Sequence, residues 1–248
     1  MVKEKRDMTW KRKPLLVLVG LVMIGTMMLA GAIPTLAQQG PEIRVTNSPT
    51  LDSDQPDVAI DSNGNMHIVY SEYAEYYREI WYTMLDKDGN TLIEDTRLTP
   101  DDDNDSTRPQ IVIDSTNKVH IIWRDQRSNH EIYYTKLDPY LDDMDGSTAD
   151  PATITLIDDK VLTNFGDYVE GLQVRMAIDS NNDIHIVYTN YEDYDIWYMK
   201  IDKNGNELIS QTVIRDTDYT WKAYPGVALD SNDNVHITWA DYEVASYD

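Results

Sequence analysis

The 248-residue chain contains no cysteine. Neither a disulfide framework nor a thiolate metal site is open to it, so a packed core must hold it together. Positive charge is scarce as well: 21 Lys and Arg stand against 44 Asp and Glu, for a formal net charge of −23. Phosphate backbones need a basic footprint, so a nucleic-acid partner is disfavoured. Beyond the N-terminal segment there is no helical period of apolar residues, no Ser-His-Asp pattern and no phosphate-binding glycine loop. A helical bundle and the commonest hydrolase and nucleotide-binding chemistries are thereby set aside.

What is present begins with residues 1–13, which hold six basic and two acidic side chains, followed by an apolar run over residues 15–33 and then Pro34, Thr35, Leu36 and Ala37. This order is that of a secretory signal, cut after Ala37. The alternative is an uncleaved membrane anchor through residues 15–33, whose length approaches the ~20 residues that span a bilayer. Either way residues 38–248 are expected to be extracytoplasmic, secreted or at the cell surface, with a solvated acidic surface.

From residue 42 onward the chain repeats. "DSNGNMHIVY" at residues 61–70 returns as "DSTNKVHIIW" from Asp114, "DSNNDIHIVY" from Asp179 and "DSNDNVHITW" from Asp230. Around each phrase lie up to four short apolar runs: "PDVAID", "MHIVY", "EIWYTMLD" and "TRLT" in the first unit. Runs that are β-branched, apolar on both faces and bounded by turn residues read as buried strands. The turn inside the phrase places Gly64, Asn117, Asn182 and Asp233 at one position, the residue types that enter the left-handed region at least cost. A unit of four antiparallel strands in about 50 residues is the size of a propeller blade. The expected fold is therefore all-β, a β-propeller with blades near residues 56–99, 108–163, 172–215 and 224–248, the last incomplete. The run "EIRVTN" from Glu42 matches a fourth strand and is expected to complete the last blade.

"YPGVALDSNDNVHITWADYE" from Tyr224 resembles an NHL-type propeller repeat. "IIWRDQRSNHEIYYTKLD" from Ile121 resembles the sialidase-like, BNR-type repeats of secreted microbial propellers. The resemblance implies a propeller. If it extended to activity, it would imply a glycoside hydrolase with an arginine cluster, a Tyr nucleophile with a Glu partner, and an acid.

Candidate site residues follow the second strand of each unit. Glu72, Asp125, Asn190 and Asp241 share one position, and Tyr73, Tyr77, Arg78, Arg124, Arg127, Tyr191, Tyr194 and Tyr242 crowd around them. Blade topology gathers such loops on one face, and Tyr with carboxylates and Arg grips a glycan or a peptide by stacking plus fixed hydrogen bonds. Asp143, Asp145 and Asp150 around Gly146 could ligate calcium, the other reading being a solvated acidic loop. His67, His120, His185 and His236 each open a second strand and are expected to bond the hairpin Asp of their own unit, with a metal-holding ring of imidazoles as the alternative. The function expected from all this is a binding or cell-surface interaction module for a glycan or protein ligand. The alternatives are a sialidase-like glycoside hydrolase and a structural surface-array component.

Overall fold

The computed structural model describes residues 42–46, 51–127, 130–142, 146–164, 173–190, 195–215 and 221–242. The N-terminal signal or anchor, including residues 15–33, lies outside the described residues, among which no helix is long and apolar enough to cross a membrane.

The chain is all-β. Strands β1 (Ser53–Ile60), β2 (Met66–Ala74), β3 (Tyr77–Leu85) and β4 (Thr91–Arg97) form one antiparallel meander. A second comprises β5 (Ser106–Ile113), β6 (Val119–Asp125), β7 (Glu131–Leu137) and β8 (Thr155–Val161). A third comprises β9 (Gln173–Ile178), β10 (Ile184–Asn190), β11 (Asp195–Ile201) and β12 (Glu207–Arg215), and a two-stranded sheet pairs β13 (Trp221–Leu229) with β14 (Val235–Tyr242). First strands lie against one another in succession, β1 on β5, β5 on β9 and β9 on β13.

Each repeated phrase builds its hairpin through one carboxylate. Asp61 Oδ1 accepts the amides of Asn63 and Asn65 at 2.8 and 2.9 Å, and Asp114 Oδ1 those of Thr116 and Lys118 at 2.8 and 3.0 Å. Asp179 and Asp230 repeat the pattern. The residue three places after the Asp has positive φ in all four turns: 85° at Gly64, 60° at Asn117, 66° at Asn182 and 60° at Asp233. The other carboxylate oxygen faces the histidine at 3.2 Å in the first three sheets, and Nδ1 of that histidine lies 2.8 Å from the hydroxyl of Tyr82, Tyr134 or Tyr198. Both imidazole nitrogens are thus engaged inside their own sheet, which is the hairpin role and not a ring around a metal. Burial pushes the pKa of His67 and His120 down, against the pull of their Asp partners.

The left-handed turn residue has a second task. Asn117 Oδ1 accepts the amide of Ser62 at 3.1 Å, Asn182 Oδ1 that of Ser115 at 2.9 Å, and Asp233 Oδ1 that of Ser180 at 3.0 Å. Each turn from the second sheet onward is tied to the turn of the sheet before it. Asn117→Gly keeps the backbone conformation but removes this tie, and is expected to cost about 0.5–1.5 kcal/mol. Asn117→Ala adds about 1–2 kcal/mol for the left-handed backbone. Urea unfolding of both variants checks this, and equal midpoints would refute the separation of the two effects.

Between sheets the core is made of alternating faces. Val69, Ile80, Tyr82 and Met84 of the first sheet meet Val119, Ile121 and Trp123 of the second. Ile122, Ile132 and Tyr134 of the second meet Ile184, Ile186 and Tyr188 of the third. The second strands are consequently buried on both faces, which is why they read as continuous apolar runs. Residues 42–46 lie against the outer face of the first sheet, where Val45 packs with Met66, Ile68 and Tyr70.

The long connection of the second unit is a strap across the first sheet. Gly146, at φ 84°, donates its amide to Leu92 O at 3.0 Å, and the Glu94 amide donates to Ser147 O at 2.8 Å. Tyr140 bonds Asp61 through its hydroxyl and accepts from the side-chain amides of Asn63 and Asn65 at 2.9 Å each. Ala149 and Ile154 enter the core between the first two sheets.

Candidate functional site

The connections from second to third strands and from fourth to following first strands share the end opposite the repeated hairpins. At this end β1, β5 and β13 carry a bulge. Gln55, Arg108 and Tyr224 stand at φ 54°, 58° and 55°, each directly before a proline: Pro56, Pro109 and Pro225. A non-glycine residue held there stores on the order of 1–3 kcal/mol of strain, tolerated where the surroundings over-determine it. They do so here. Gln55 Oε1 accepts the Arg108 amide at 2.7 Å and faces Ser71 Oγ at 3.4 Å, while Gln173 Oε1 accepts the Tyr224 amide at 2.6 Å.

Beside the first bulge, Asp54 Oδ2 receives Arg78 Nη2 at 3.0 Å. The same guanidinium lies 4.4 Å over the Tyr73 ring, and the Arg78 amide donates to Asp105 Oδ1 at 2.8 Å. Asp54 Oδ1 is buried and has no hydrogen-bond partner, although the side chain as a whole is 39% exposed. Burial holds this carboxyl above the usual carboxylate range; Arg78 opposes the shift, and Asp52 and Asp105 add to it. A partly exposed carboxyl displaced upward beside a fixed cation is equipped for acid–base work.

Arg127 is occupied differently. It holds both oxygens of Asp125 through Nε and Nη2 at 2.9 and 2.8 Å, bonds Asp159 through both terminal nitrogens, and reaches Asp102 at 3.1 Å. Its guanidinium sits 4.5 Å over Tyr133. Three carboxylates neutralise it, so it works as a clamp among the second strand, the fourth strand and the loop of residues 101–105. In the fourth sheet, Lys222, 1% exposed, bonds Asp195 of the third at 2.9 Å. Tyr224 and Tyr242, 61% and 43% exposed, form an edge-to-face pair with centroids 6.5 Å apart.

The residues expected from the sequence are placed as follows. Glu72, Asp125, Arg124 and Asn190 are buried within the ends of β2, β6 and β10; Glu72 bonds Ser53, and Asp125 bonds Ser106 and Trp123 as well as Arg127. Tyr73, Tyr77 and Arg78 gather at the first connection, and Asp241 and Tyr242 end β14. Tyr191 and Tyr194 lie outside the described residues, as do Asp143 and Asp145 of the calcium candidate. Asp150, the third of that set, caps α1 (Pro151–Ile154) by accepting the Ala152 amide at 3.0 Å. No group of three or more His, Cys, Asp or Glu suited to a metal occurs among the described residues. Asp54, Gln55, Arg108, Gln173 and Tyr224 were not singled out by the sequence reading. The signal for three of them was an X-Pro step at the same place in three units.

No protein-family pattern matches the chain, and no characterised protein matches its sequence. Solved structures do. An ulvan lyase of polysaccharide lyase family 25, bound to -[GlcA(1-4)Rha3S]-, superposes with a TM-score of 0.50 at 13% identity, over 75% of this chain and 50% of that one. An endo-arabinase from Bacteroides thetaiotaomicron VPI-5482 superposes at 0.48 and 13% identity, over 76% of this chain and 72% of that one. The catalytic domain of a Coprinopsis cinerea GH62 α-L-arabinofuranosidase superposes at 0.44 and 10% identity, over 77% and 67%. The chain spans half the length of the lyase it matches. The likeness establishes an all-β fold of the propeller type. It also corrects the expectation of a non-catalytic binding module, since the lyase that superposes with this fold is a polysaccharide-active enzyme.

Proposed function

We propose that the chain is the propeller of an exported glycan-processing enzyme, or part of one. Its substrate lies across the end of the sheets that carries the bulges, with Asp54 as the acid–base group. The observation that carries this reading is the Asp54 carboxyl: displaced upward by burial, held on one oxygen by Arg78, unpartnered on the other, and set beside a strained bulge. The glycan class is supported by what the matching lyase is known to act on. The exposed Tyr224–Tyr242 pair supplies apolar faces on which a sugar ring stacks. Residues 1–37 act as the export segment, and each four-stranded sheet is one blade.

A sialidase-type mechanism fits less well than cleavage centred on Asp54, because the arginines it would need are committed separately. Arg78 holds Asp54, Arg127 is saturated by three aspartates, and Arg124 is buried in β6.

The test is an assay of the full chain on ulvan, arabinan, galactan and arabinoxylan, reading new reducing ends and the ultraviolet absorbance of an unsaturated product side by side. Asp54→Asn is expected to lower kcat/KM by about 10²–10⁴-fold with the melting temperature little changed. Full activity in that variant would remove Asp54 from the role. Failure to release reducing ends from any of the four would overturn the reading itself.

A further inference from the structure

Arg78 holds two carboxylates, one at each of its ends. Its Nη2 donates to Asp54 Oδ2 at 3.0 Å, and its backbone amide donates to Asp105 Oδ1 at 2.8 Å. Each carboxylate keeps its other oxygen without a hydrogen bond among the described residues, Oδ1 in Asp54 and Oδ2 in Asp105. Both are fixed by the backbone around them. Asp54 stands on β1 opposite Ser71, directly before the strained Gln55. Asp105 ends the connection from β4 to β5, and its carbonyl accepts the Gln126 amide at 3.1 Å, so its side chain is tied to the first sheet and its backbone to the second. Tyr73, opposite Arg78 in register, lies 4.4 Å beneath the guanidinium and holds it in place.

Two carboxylates with one free oxygen each are the apparatus of glycoside hydrolysis, in which one protonates the leaving oxygen and the other serves the attacking side. Elimination asks for something else. It removes a proton from C5 of a uronate, whose carboxylate must first be neutralised by a cation. The two guanidiniums at this seam are already held by aspartates, Arg78 by Asp54 and Arg127 by Asp102, Asp125 and Asp159. An acidic sugar placed beside Asp54 would also meet Asp52 and Asp105, both close enough to push the Asp54 carboxyl upward, with Arg78 alone opposing them.

Granted the acid–base role of Asp54, we propose that Asp105 is the second catalytic carboxylate of the same site, that Arg78 is the positioning residue between them, and that the reaction is hydrolysis of an uncharged glycan. Water gives a proton to Asp105 Oδ2 as its oxygen bonds the anomeric carbon. The glycosidic C–O bond breaks, its electron pair stays on the leaving oxygen, and that oxygen takes the proton of Asp54. One water is consumed, and the pair resets when solvent carries the proton from Asp105 back to Asp54.

The test is the pH profile of kcat/KM for the full chain, for Asp105→Asn and for Arg78→Gln, on whichever of arabinan, galactan and arabinoxylan the parent cleaves. The parent is expected to give a bell-shaped profile and products that carry new reducing ends without ultraviolet absorbance. Asp105→Asn keeps an acceptor for the Arg78 amide, and is expected to lower kcat/KM by about 10²–10⁴-fold and to lose the acidic limb. Arg78→Gln keeps that amide but removes the cation that opposes the upward displacement of Asp54, so the alkaline limb is expected to move to higher pH. Parent activity or an intact acidic limb in Asp105→Asn would overturn the role of Asp105 and leave Asp54 in place, and an unmoved alkaline limb in Arg78→Gln would overturn that of Arg78. Cleavage of ulvan alone, or an unsaturated product from the parent, would overturn hydrolysis of an uncharged glycan without any variant having to fold. Release of reducing ends from no polymer would remove the acid–base reading of Asp54, and this proposal with it.

Discussion

Replacing Asp114 by alanine is expected to lower the unfolding free energy by about 3–5 kcal/mol, the cost of leaving buried partners uncompensated. Asp114 is 4% exposed and accepts from the amides of Thr116 and Lys118, from the Thr116 hydroxyl at 2.7 Å and from His120 at 3.2 Å, with Lys136 Nζ 3.7 Å away. Removing the carboxylate strands two amides, an imidazole and a largely buried ammonium at once. The same change at Asp230 breaks the same turn but touches an exposed histidine, so its effect on the urea midpoint is expected to be far smaller. Equal shifts at the two positions would show that the carboxylate acts only through local turn geometry.

The pH dependence follows from the same bonds. Burial raises the Asp114 and Asp179 carboxyls, but their hydrogen bonds outweigh it and hold both below the ordinary 3.8, Asp179 at about 2. A carboxyl whose folded pKa is depressed contributes stability that is present above 3.8 and lost as pH falls through its folded value. His67 and His120 act in the same direction, since burial pushes them below the ordinary 6.5 and their protonation favours the unfolded chain below that pH. Acid should therefore weaken the sheets in two stages, first through the histidines and then through the hairpin aspartates.

The repeat made the sheets legible because each hairpin is encoded locally. Asp61, the left-handed turn residue and His67 sit within seven residues of one another, and their bonds hardly depend on the rest of the chain. The tie from Ser62 to Asn117 spans 55 residues, and nothing in either phrase announces it. The loop face was harder for a related reason. Composition flagged Glu72 and Asp125, but strand ends bury them, and the exposed acid is Asp54, whose neighbours Arg78 and Asp105 are 24 and 51 residues away. Arg127 looked like a substrate ligand because it lies in a loop rich in polar residues; only the convergence of Asp102, Asp125 and Asp159 reveals it as a clamp. The phrase "VHITW" by itself carries the same signal as its three buried counterparts; what sets β14 apart is the two-stranded sheet it belongs to among the described residues, in line with the expectation of an incomplete last unit.

Glu79→Gln is expected to abolish a pH dependence that runs opposite to that of the hairpins. Glu79 is fully buried at the start of β3, where Thr99 Oγ1 donates to its Oε2 at 2.5 Å and its Oε1 has no partner. Burial raises its pKa from 4.5 to about 7, against the bond from Thr99. A carboxyl displaced upward favours the folded chain fully below its unfolded pKa, and that contribution is lost as pH rises from 4.5 to about 7. The histidine and aspartate contributions cancel when the variant is subtracted from the parent. The difference in unfolding free energy should therefore fall by about 3 kcal/mol across that window. A flat difference would mean that Glu79 ionises normally in the fold. The consequence reaches the proposed site, because Thr99 also accepts the Ile80 amide at 2.9 Å and begins the connection whose Asp102 and Asp105 fix Arg127 and Arg78. Ionising Glu79 places a buried charge beside this connection, so the parent should lose order around Asp54 as pH rises toward 7 while the Gln variant keeps it.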